Sequence, residues 1–266
     1  MIRRLEDIEA SAWGEFFRSP RAELADRLKI RLVCQGGAVV TIAGNSETLA
    51  LNRALNFGAE EGITSEDIEW LKAHYERQNV RRFFVTIPPD IPGEVVRLLE
   101  AEGFYHYNEW AKLYRDTSPL EGIVSDLTIR RIDEKDADEF AKIFPGCIDW
   151  GGRAVDWMKS LIGRKNWYHY MAFDGDKPAG AASMFVEGKN AWIGFAGTYP
   201  EFRGRGAQAG LTRKRIADAA GLGAELVVVE TGVETAEKPM PSYRNMKRFG
   251  FIEAYQRKNY IFEFKF

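Results

Sequence analysis

The chain has 266 residues, of which 45% are hydrophobic and 29% are charged, and its formal net charge is −2. This composition is typical of a globular protein, and the length suits two domains of roughly 130 residues each. A charge this close to zero argues against nucleic acid or an anionic membrane as partners. No apolar run approaches the ~18 residues that cross a bilayer, and the amphipathic, acidic N-terminus is not typical of a signal sequence. We therefore expect a cytoplasmic protein.

The few cysteines and histidines argue against metal or triad chemistry. The two cysteines lie far apart and are expected to be reduced thiols. None of the three histidines has a nearby second metal ligand or an evident serine or cysteine partner, so we expect core or surface roles and no metal site. The residues in question are Cys34, Cys147, His74, His106 and His169.

Hydrophobic periodicity and turn residues predict an α+β order in the first half of the chain. The helix that begins near residue 64 has Thr64 or Ser65 as its N-cap, with Glu66 and Asp67 in its first turn. The predicted elements are helices over 4–18 and 21–27, strands over 28–34, 37–43 and 48–56, a helix over 64–78, a strand over 81–87, a helix over 93–102 and a strand over 104–115.

The polar segment over 116–126 contains Pro and Gly and is typical of a linker. After it the sequence predicts a strand over 127–132, helices over 134–144 and 153–162, a three-strand meander over 167–175, 178–188 and 191–198, a helix over 206–220, a strand over 224–231, a helix over 241–249 and a strand from 251 onward.

The two halves repeat the same order of elements: a meander, a helix, an apolar strand, a short helix and a Gly-Phe pair before a final strand. The pairs are Gly103-Phe104 and Gly250-Phe251. In each pair, glycine can end the helix in a left-handed conformation while phenylalanine starts the next strand inside the core. Chance similarity between two α+β halves is the alternative.

The segment "YPEFRGRGAQAG", residues 199–210, has the features of an anion site. Gly204 and Gly206 allow close approach of the main chain, Arg203 and Arg205 add positive charge, and a helix start offers unpaired amides. Within that helix Leu211, Ile216 and Ala220 are expected to face inward, and Arg213, Lys214 and Arg215 to be solvated. The first half has carboxylates at the corresponding place, so we expect no phosphate there.

Three interpretations of this segment can be compared. The lysine-containing phosphate loop is excluded, because G-x-x-x-x-G-K-[ST] is absent. Gly204, Gly206 and Ala209, with Glu225, nominally satisfy a dinucleotide fingerprint, but the strand that should run directly into the first glycine is missing. A basic turn without function is a further alternative, and the third interpretation depends on the neighbouring elements.

The arrangement of the neighbouring elements resembles the GNAT superfamily of N-acetyltransferases. A Pro-Glu-x-Arg-Gly-x-Gly segment follows an antiparallel meander and precedes a helix, an apolar strand, a short helix and Gly-Phe, and the resemblance covers residues 126–264. The segment Arg203–Gln208 matches the Q/R-x-x-G-x-G/A signature except at Gln208, where Gly or Ala is usual. The first half resembles a degenerate copy.

The resemblance implies an α+β fold with two GNAT-like domains, over 1–117 and 125–266, each a mixed, mostly antiparallel sheet flanked by helices. It also implies acetyl-CoA as co-substrate, with the pyrophosphate on loop amides and the pantetheine between two splayed strands. The cofactor-binding residues so implied are Ala196, Gly197, Thr198, Arg203, Gly204, Arg205, Gly206, Ala207, Gln208, Ala209, Ser242 and Asn245.

Candidate catalytic residues are less well defined. The family often places a proton-donating Tyr where this chain has Met246; Tyr243 lies one turn earlier and is a candidate substitute, and unassisted departure of the thiolate is the alternative. Glu230 is the leading candidate base, with Glu201 and Asp149 behind it, while a water chain would leave no trace. Each of these side chains also has an ordinary structural interpretation.

Trp150, Trp157 and Tyr168 are candidates for the acceptor pocket or for the core.

The resemblance implies an N-acetyltransferase that acts on a primary amine of an unknown small molecule or peptide, with acyl-CoA and an amine acceptor as its partners. A homodimer is left open. The alternatives are a non-catalytic acyl-CoA-binding regulatory protein, which Met246 favours, and a tandem transferase that uses aminoacyl-tRNA, against which the absence of a basic stripe argues.

Overall fold

The computed structural model describes residues 1–60, 62–122, 125–147, 154–237 and 239–265. The chain divides into two compact units: unit 1 comprises Met1–Lys112 with Ala254–Phe266, and unit 2 comprises Leu113–Glu253. The sequence-based division at 1–117 and 125–266 assigned the last strand to the second domain. That strand pairs over Lys258–Glu263 with Arg82–Ile87, which explains its place in unit 1.

Unit 1 begins with two helices and continues with a sheet that carries two more. Its elements are α1 (Ile2–Arg18), α2 (Ala22–Arg27), β1 (Ile30–Gln35), β2 (Ala38–Ala43), β3 (Arg53–Leu55), α3 (Ser65–Glu76), β4 (Arg82–Ile87), α4 (Gly93–Ala101) and β5 (Tyr105–Asp116), which ends in unit 2.

Unit 2 contains the second meander and the second helix-strand-helix series. Its elements are β6 (Thr128–Arg131), α5 (Ala137–Cys147), α6 (Ala154–Lys159), β7 (Trp167–Asp174), β8 (Lys177–Glu187), β9 (Asn190–Thr198), α7 (Ala207–Gly221), β10 (Leu226–Gly232), α8 (Pro241–Arg248) and β11 (Ile252–Glu263), which continues into unit 1.

Each unit has a mixed, mostly antiparallel sheet, as predicted. In unit 1, β1 pairs antiparallel with β2 and β2 with β3, whereas β3 and β4 run parallel. In unit 2, β6, β7, β8 and β9 pair antiparallel in chain order, and β9 and β10 run parallel. The same connection, a meander followed by a helix and a parallel strand, therefore occurs twice, and the predicted repeat is confirmed.

The Gly-Phe pairs end equivalent helices in the two units. Gly103 has φ 90° and Gly250 has φ 77°, both left-handed. The next residue donates its amide back into the helix, from Phe104 to the Leu99 carbonyl and from Phe251 to the Met246 carbonyl, each at 3.0 Å. This is the hydrogen bond of a Schellman cap, and both phenylalanines are buried.

One hydrophobic cluster of unit 1 lies between its sheet and α3 and α4. Tyr75 of α3 stacks on Phe83 of β4 with ring centroids 3.8 Å apart, and the Tyr75 hydroxyl donates to the Thr41 carbonyl. Thr64 is the N-cap of α3 and forms a capping box with Asp67. The amides of Thr64 and Asp67, at the start of α3, therefore donate to the side chains of Asp67 and Thr64 respectively.

One predicted strand is mostly wrong. The sequence predicts one strand over residues 48–56, but Leu49–Leu51 form a 3-10 helix and only Arg53–Leu55 pair as a strand. The Asn52 side chain bonds the backbone of Ala43 and Ser46, which holds this segment in a turn. Such local side-chain to backbone bonds compete with a regular ladder.

Across the described residues, no helix is long and apolar enough to cross a membrane.

Candidate functional site

The parallel strands β9 and β10 of unit 2 pair at one end only. Both strands are described in full, and their pairing runs from Leu226 opposite Asn190 to Val228 opposite Trp192. Beyond that point β9 continues to Thr198 and β10 to Gly232 without pairing to each other. The two strands therefore separate, as the resemblance implies, and leave backbone groups on both sides of an opening.

A bulge in β9 lies at this opening. Its register with β8 shifts between Ala181, opposite Gly197, and Ser183, opposite Gly194. Phe195 lies in the bulge and has φ 45°, a strained conformation for a bulky residue. Its ring packs on Trp167 and Trp192, with centroids 5.8 and 5.2 Å away. This aromatic packing holds the bulge that leads into residues 196–198.

Gly194 is required by packing against its own strand. A Cβ at this position would lie 2.0 Å from the Trp192 ring. The glycine therefore leaves room for the Trp192 ring beside the bulge.

The loop between β9 and α7 contains two left-handed glycines. A short 3-10 helix, Pro200–Phe202, is followed by Gly204 with φ 80° and by Gly206 with φ 79°, which is the N-cap of α7. Among the described residues, and apart from its two chain neighbours, no heavy atom lies within 4 Å of a Cβ added at Gly204, so glycine is required there by the conformation. The chain thus turns directly into a helix start, where the first amides lack helical partners.

Arg205 attaches this loop to the end of β7. Its guanidinium donates to both oxygens of Asp174, at 2.7 and 2.9 Å. This bidentate bond raises the pKa of Arg205 and lowers that of Asp174. On the other side, the Asp126 amide donates to the Arg205 carbonyl at 3.4 Å. Arg205 is therefore partly neutralised by Asp174 and has a role in holding the loop.

The loop lines a cleft of about 1050 Å³ in unit 2. Every residue predicted to bind the cofactor lines this cleft except Ser242. Arg203 is exposed and forms no ion pair with any residue that the structure describes. The cleft is also lined by residues that sequence reasoning missed, namely Gly122, Asp126, Phe202, Leu211, Arg215, Pro241, Arg248 and Phe249.

Gln208, the departure from the family signature, contacts α8. The Asn245 side-chain amide donates to Gln208 Oε1 at 2.5 Å. Both side chains line the cleft and are partly buried. The glutamine thus connects the first turn of α7 to α8, a contact that glycine or alanine could not make.

The proposed catalytic side chains lie outside the described lining of the cleft. The Tyr243 hydroxyl donates to Glu253 at 2.5 Å, and this bond raises the pKa of Tyr243 to about 12. Glu230 is half-buried in β10 beyond the last pair with β9. Ser242 shares a hydrogen bond of 2.8 Å with Thr231. Met246 is buried in α8.

Two predictions about α7 are wrong. Arg215, expected to be solvated, is only 1% exposed, and Ala220, expected to face inward, is exposed while Ala219 is buried. Arg213 is exposed as predicted, and Leu211 and Ile216 are buried as predicted. The buried face of α7 is displaced by one residue from the predicted face, so Ala219 is buried in place of Ala220.

The aromatic candidates for an acceptor pocket have different positions. Trp157 is 2% exposed and belongs to the core, while Tyr168 is half-buried under Arg131, whose guanidinium carbon lies 4.5 Å from the ring centroid. Trp150, like the base candidate Asp149, lies outside the described residues. In the described part of the chain, no group of three or more His, Cys, Asp or Glu side chains is placed to hold a metal ion.

The chain has an α+β fold with two GNAT-like units, similar to the fold of solved GCN5-related N-acetyltransferases. A GCN5-related N-acetyltransferase from Kribbella flavida is similar over 98% of this chain and 95% of its own, with a TM-score of 0.64 and 14% identity. A tandem GNAT protein from the clavulanic acid biosynthesis pathway is similar over 96% of this chain and 94% of its own, with a TM-score of 0.58 and 17% identity.

A third solved structure agrees with this assignment of the fold. A GCN5-related N-acetyltransferase from Sphaerobacter thermophilus is similar over 85% of this chain and 80% of its own, with a TM-score of 0.58 and 16% identity. No protein-family model matches the sequence, and neither does any curated protein.

Proposed function

We propose that unit 2 is an N-acetyltransferase that moves an acetyl group from acetyl-CoA to a primary amine of a small molecule or peptide. The observation that carries the proposal is the opening between β9 and β10 beside a glycine loop that begins a helix. An extended thiol ester with a pyrophosphate fits such a pair of features, because strand backbone can bond its amides and helix amides can bond its phosphates.

In this proposal each part of the cofactor has its own protein surface. The amides from Gly204 to Ala209 bind the pyrophosphate, and Arg203 and Arg205 add charge. The backbone of Ala196, Gly197 and Thr198 bonds the pantetheine. Asn245 and Ser242 contact the cofactor from α8, and Gln208 positions Asn245 through their hydrogen bond.

The reaction needs a deprotonated amine and a stabilised leaving thiolate. The amine nitrogen attacks the thioester carbon, the carbon–sulfur bond breaks, and the proton from nitrogen goes to a base, for which Glu230 is the candidate. A β9 amide at the opening would stabilise the oxyanion. Tyr243 is the candidate acid, although its bond to Glu253 makes it a weaker one. A thiol of pKa near ~8.5 can leave without such help.

A second candidate function is an acyl-CoA-binding regulatory protein without turnover. Two observations favour it: Met246 is buried where relatives of this fold often place the acid, and the Tyr243 hydroxyl is directed to Glu253. Neither Met246 nor Tyr243 is among the described residues that line the cleft, so the proposed cofactor site is the same for both candidate functions.

Calorimetric titration with acetyl-CoA tests the shared part of the proposal, and thiol release with a panel of amines separates the two candidates. We expect binding that weakens about tenfold in Arg203→Ala, because a cation is lost beside the phosphates. Arg213→Ala is the matched control, since Arg213 is exposed on α7 and does not line the described cleft.

We expect amine-dependent release of CoA thiol from the wild-type protein. Binding without release from any amine would favour the regulatory candidate. Absence of binding, or equal weakening in the two variants, would remove the support for the loop assignment.

A further inference from the structure

Arg215 of α7 has a buried guanidinium whose hydrogen bonds all go to neutral oxygens. Its side chain donates from Nε to the Leu211 carbonyl at 3.2 Å, from one terminal nitrogen to the Ser183 carbonyl at 3.1 Å, and from the other to Thr212 Oγ1 at 3.2 Å. The residue is 1% exposed. Each of its three nitrogens has a hydrogen-bond acceptor, but these neutral partners do not neutralise its charge.

Within the described ranges, no carboxylate forms an ion pair with Arg215. Burial lowers the pKa of Arg215 to about 10, so the group is still a cation at neutral pH. The buried arginines of unit 1 differ in this respect, because Arg53 and Arg257 both contact Glu9 at about 3 Å. A buried charge without a counter-ion is costly, and proteins seldom retain one unless something compensates it.

The position of the guanidinium suggests what compensates it. Arg215 and Leu211 both line the cleft of unit 2 with the glycine loop. The bonds to residues 211 and 212 show that the side chain runs back toward the N-terminus of α7. The charge therefore lies about one turn of helix behind the first amides of α7. An anion at those amides would face a cation that water does not screen.

The other cations at the cleft are weaker candidates for this role. Arg205 is already paired with Asp174, and Arg203 and Arg248 are exposed, so that solvent screens both. Asp126 also lines the cleft and opposes an anion. Arg215 is thus the cation of the cleft that combines a full charge with a low-dielectric environment.

We propose that Arg215 is the buried counter-charge for the phosphates of the ligand that binds in this cleft. The proposal rests on the proposed function for the identity of that ligand, a CoA thioester. Arg215 acts as a positioning residue behind the loop: it raises the positive potential at the helix start without replacing the amides as the contact. Its charge, and not its hydrogen bonds, is what ligand binding requires.

The test compares Arg215→Met with Arg215→Lys in calorimetric titrations with CoA and in thermal unfolding without ligand. Methionine removes the charge and keeps apolar volume, whereas lysine keeps the charge and loses the fork of donors. We expect Arg215→Met to bind CoA about tenfold or more weakly while its ligand-free melting temperature is unchanged or higher. Arg215→Lys should bind within about threefold of the wild type.

Two results would overturn the proposal. One is wild-type affinity in Arg215→Met. The other is a loss of affinity in both variants that follows a lowered melting temperature, because this is the behaviour of a purely structural arginine.

If the wild-type protein binds no CoA, the proposed function fails, and titration with inorganic pyrophosphate decides the role of Arg215. Weaker binding of pyrophosphate by Arg215→Met than by the wild type supports the role, and equal or absent binding contradicts it.

Discussion

At the scale of single residues, His169 shows how burial can set a protonation state. It lies in β7 and is 4% exposed, with Nδ1 3.0 Å from Ser183 Oγ and Nε2 3.2 Å from the Leu161 carbonyl. Burial lowers the pKa of His169 to about 4, and the nearby Arg131 acts in the same direction. The ring is therefore neutral in the folded protein under conditions in which an unfolded histidine takes up a proton.

This difference predicts a pH-dependent loss of stability. Between the ordinary pKa of 6.5 and the folded value of about 4, only the unfolded chain binds the proton, so the free energy of unfolding falls as the pH drops through this window. The integrated contribution is on the order of 3 kcal/mol. Urea unfolding of His169→Gln from pH 7 to pH 4 should lack this part of the pH dependence.

The control for this measurement is His106→Gln, because the His106 side chain is 45% exposed. It should retain the pH dependence of the wild type. Parallel pH profiles for the wild type and His169→Gln would show that this histidine is not responsible.

At the scale of elements, the start of α7 is connected to α8 by the side-chain bond between Gln208 and Asn245. A second bond, between Ser242 and Thr231, connects α8 to β10. The short helix α8 is thus held at both the loop and the splayed strand. Both Gln208 and Asn245 are needed for the bond between α7 and α8, so we expect that loss of either one releases this contact.

A double-mutant cycle tests this coupling. We expect Gln208→Ala and Asn245→Ala each to weaken CoA binding, and the double variant to bind no more weakly than the poorer single variant. This non-additivity corresponds to a coupling energy of about 1 kcal/mol, the usual net value of one hydrogen bond. The measurement is calorimetric titration of the four proteins.

Arg213→Ala, combined with each single variant, is the control for the cycle and should give additive effects, because Arg213 is exposed and does not line the described cleft. Additive losses in Gln208→Ala and Asn245→Ala would mean instead that the two residues act on the ligand independently.

At the scale of the whole chain, a buried charge cluster in unit 1 joins segments that are distant in sequence. Glu6 and Glu9 of α1 contact Arg53 of β3, Lys112 of β5 and Arg257 of β11, and all five are at most 3% exposed. Burial by itself raises the pKa of the Glu9 carboxyl. The three cations have the larger, opposite effect, and the pKa lies well below its ordinary range. The first helix and the last strand of the chain therefore meet at one carboxylate.

Removing this carboxylate should strongly destabilise the protein. Glu9→Gln removes the one charge that contacts all three buried cations of the cluster, and we expect a loss of about 3 to 5 kcal/mol in the free energy of unfolding. Glu94→Gln is the matched control, because its ion pair with Arg97 is exposed and should contribute under about 1 kcal/mol. Urea titrations followed by tryptophan fluorescence measure both, and similar midpoints would contradict the assigned role of the cluster.

Much of the fold could be predicted from the sequence because its signals are local. The order of helices and strands follows from hydrophobic periodicity, and the ends of α4 and α8 follow from Gly-Phe pairs that need a left-handed glycine. The repeat of elements predicted two similar units. The glycine-arginine loop could be assigned to the start of a helix because two glycines and a change of periodicity meet there.

What only the tertiary structure decided is which side chains are partners. Asp174 and Arg205 are 31 residues apart, and Tyr243 bonds to Glu253 across a turn that the sequence does not specify. Arg215 is buried although its basic neighbours Arg213 and Lys214 are exposed and half-exposed. The run of three basic residues therefore does not indicate which of them is buried. Local patterns determine which backbone forms, whereas burial and pairing depend on how faces pack, and packing joins residues that the chain itself keeps apart.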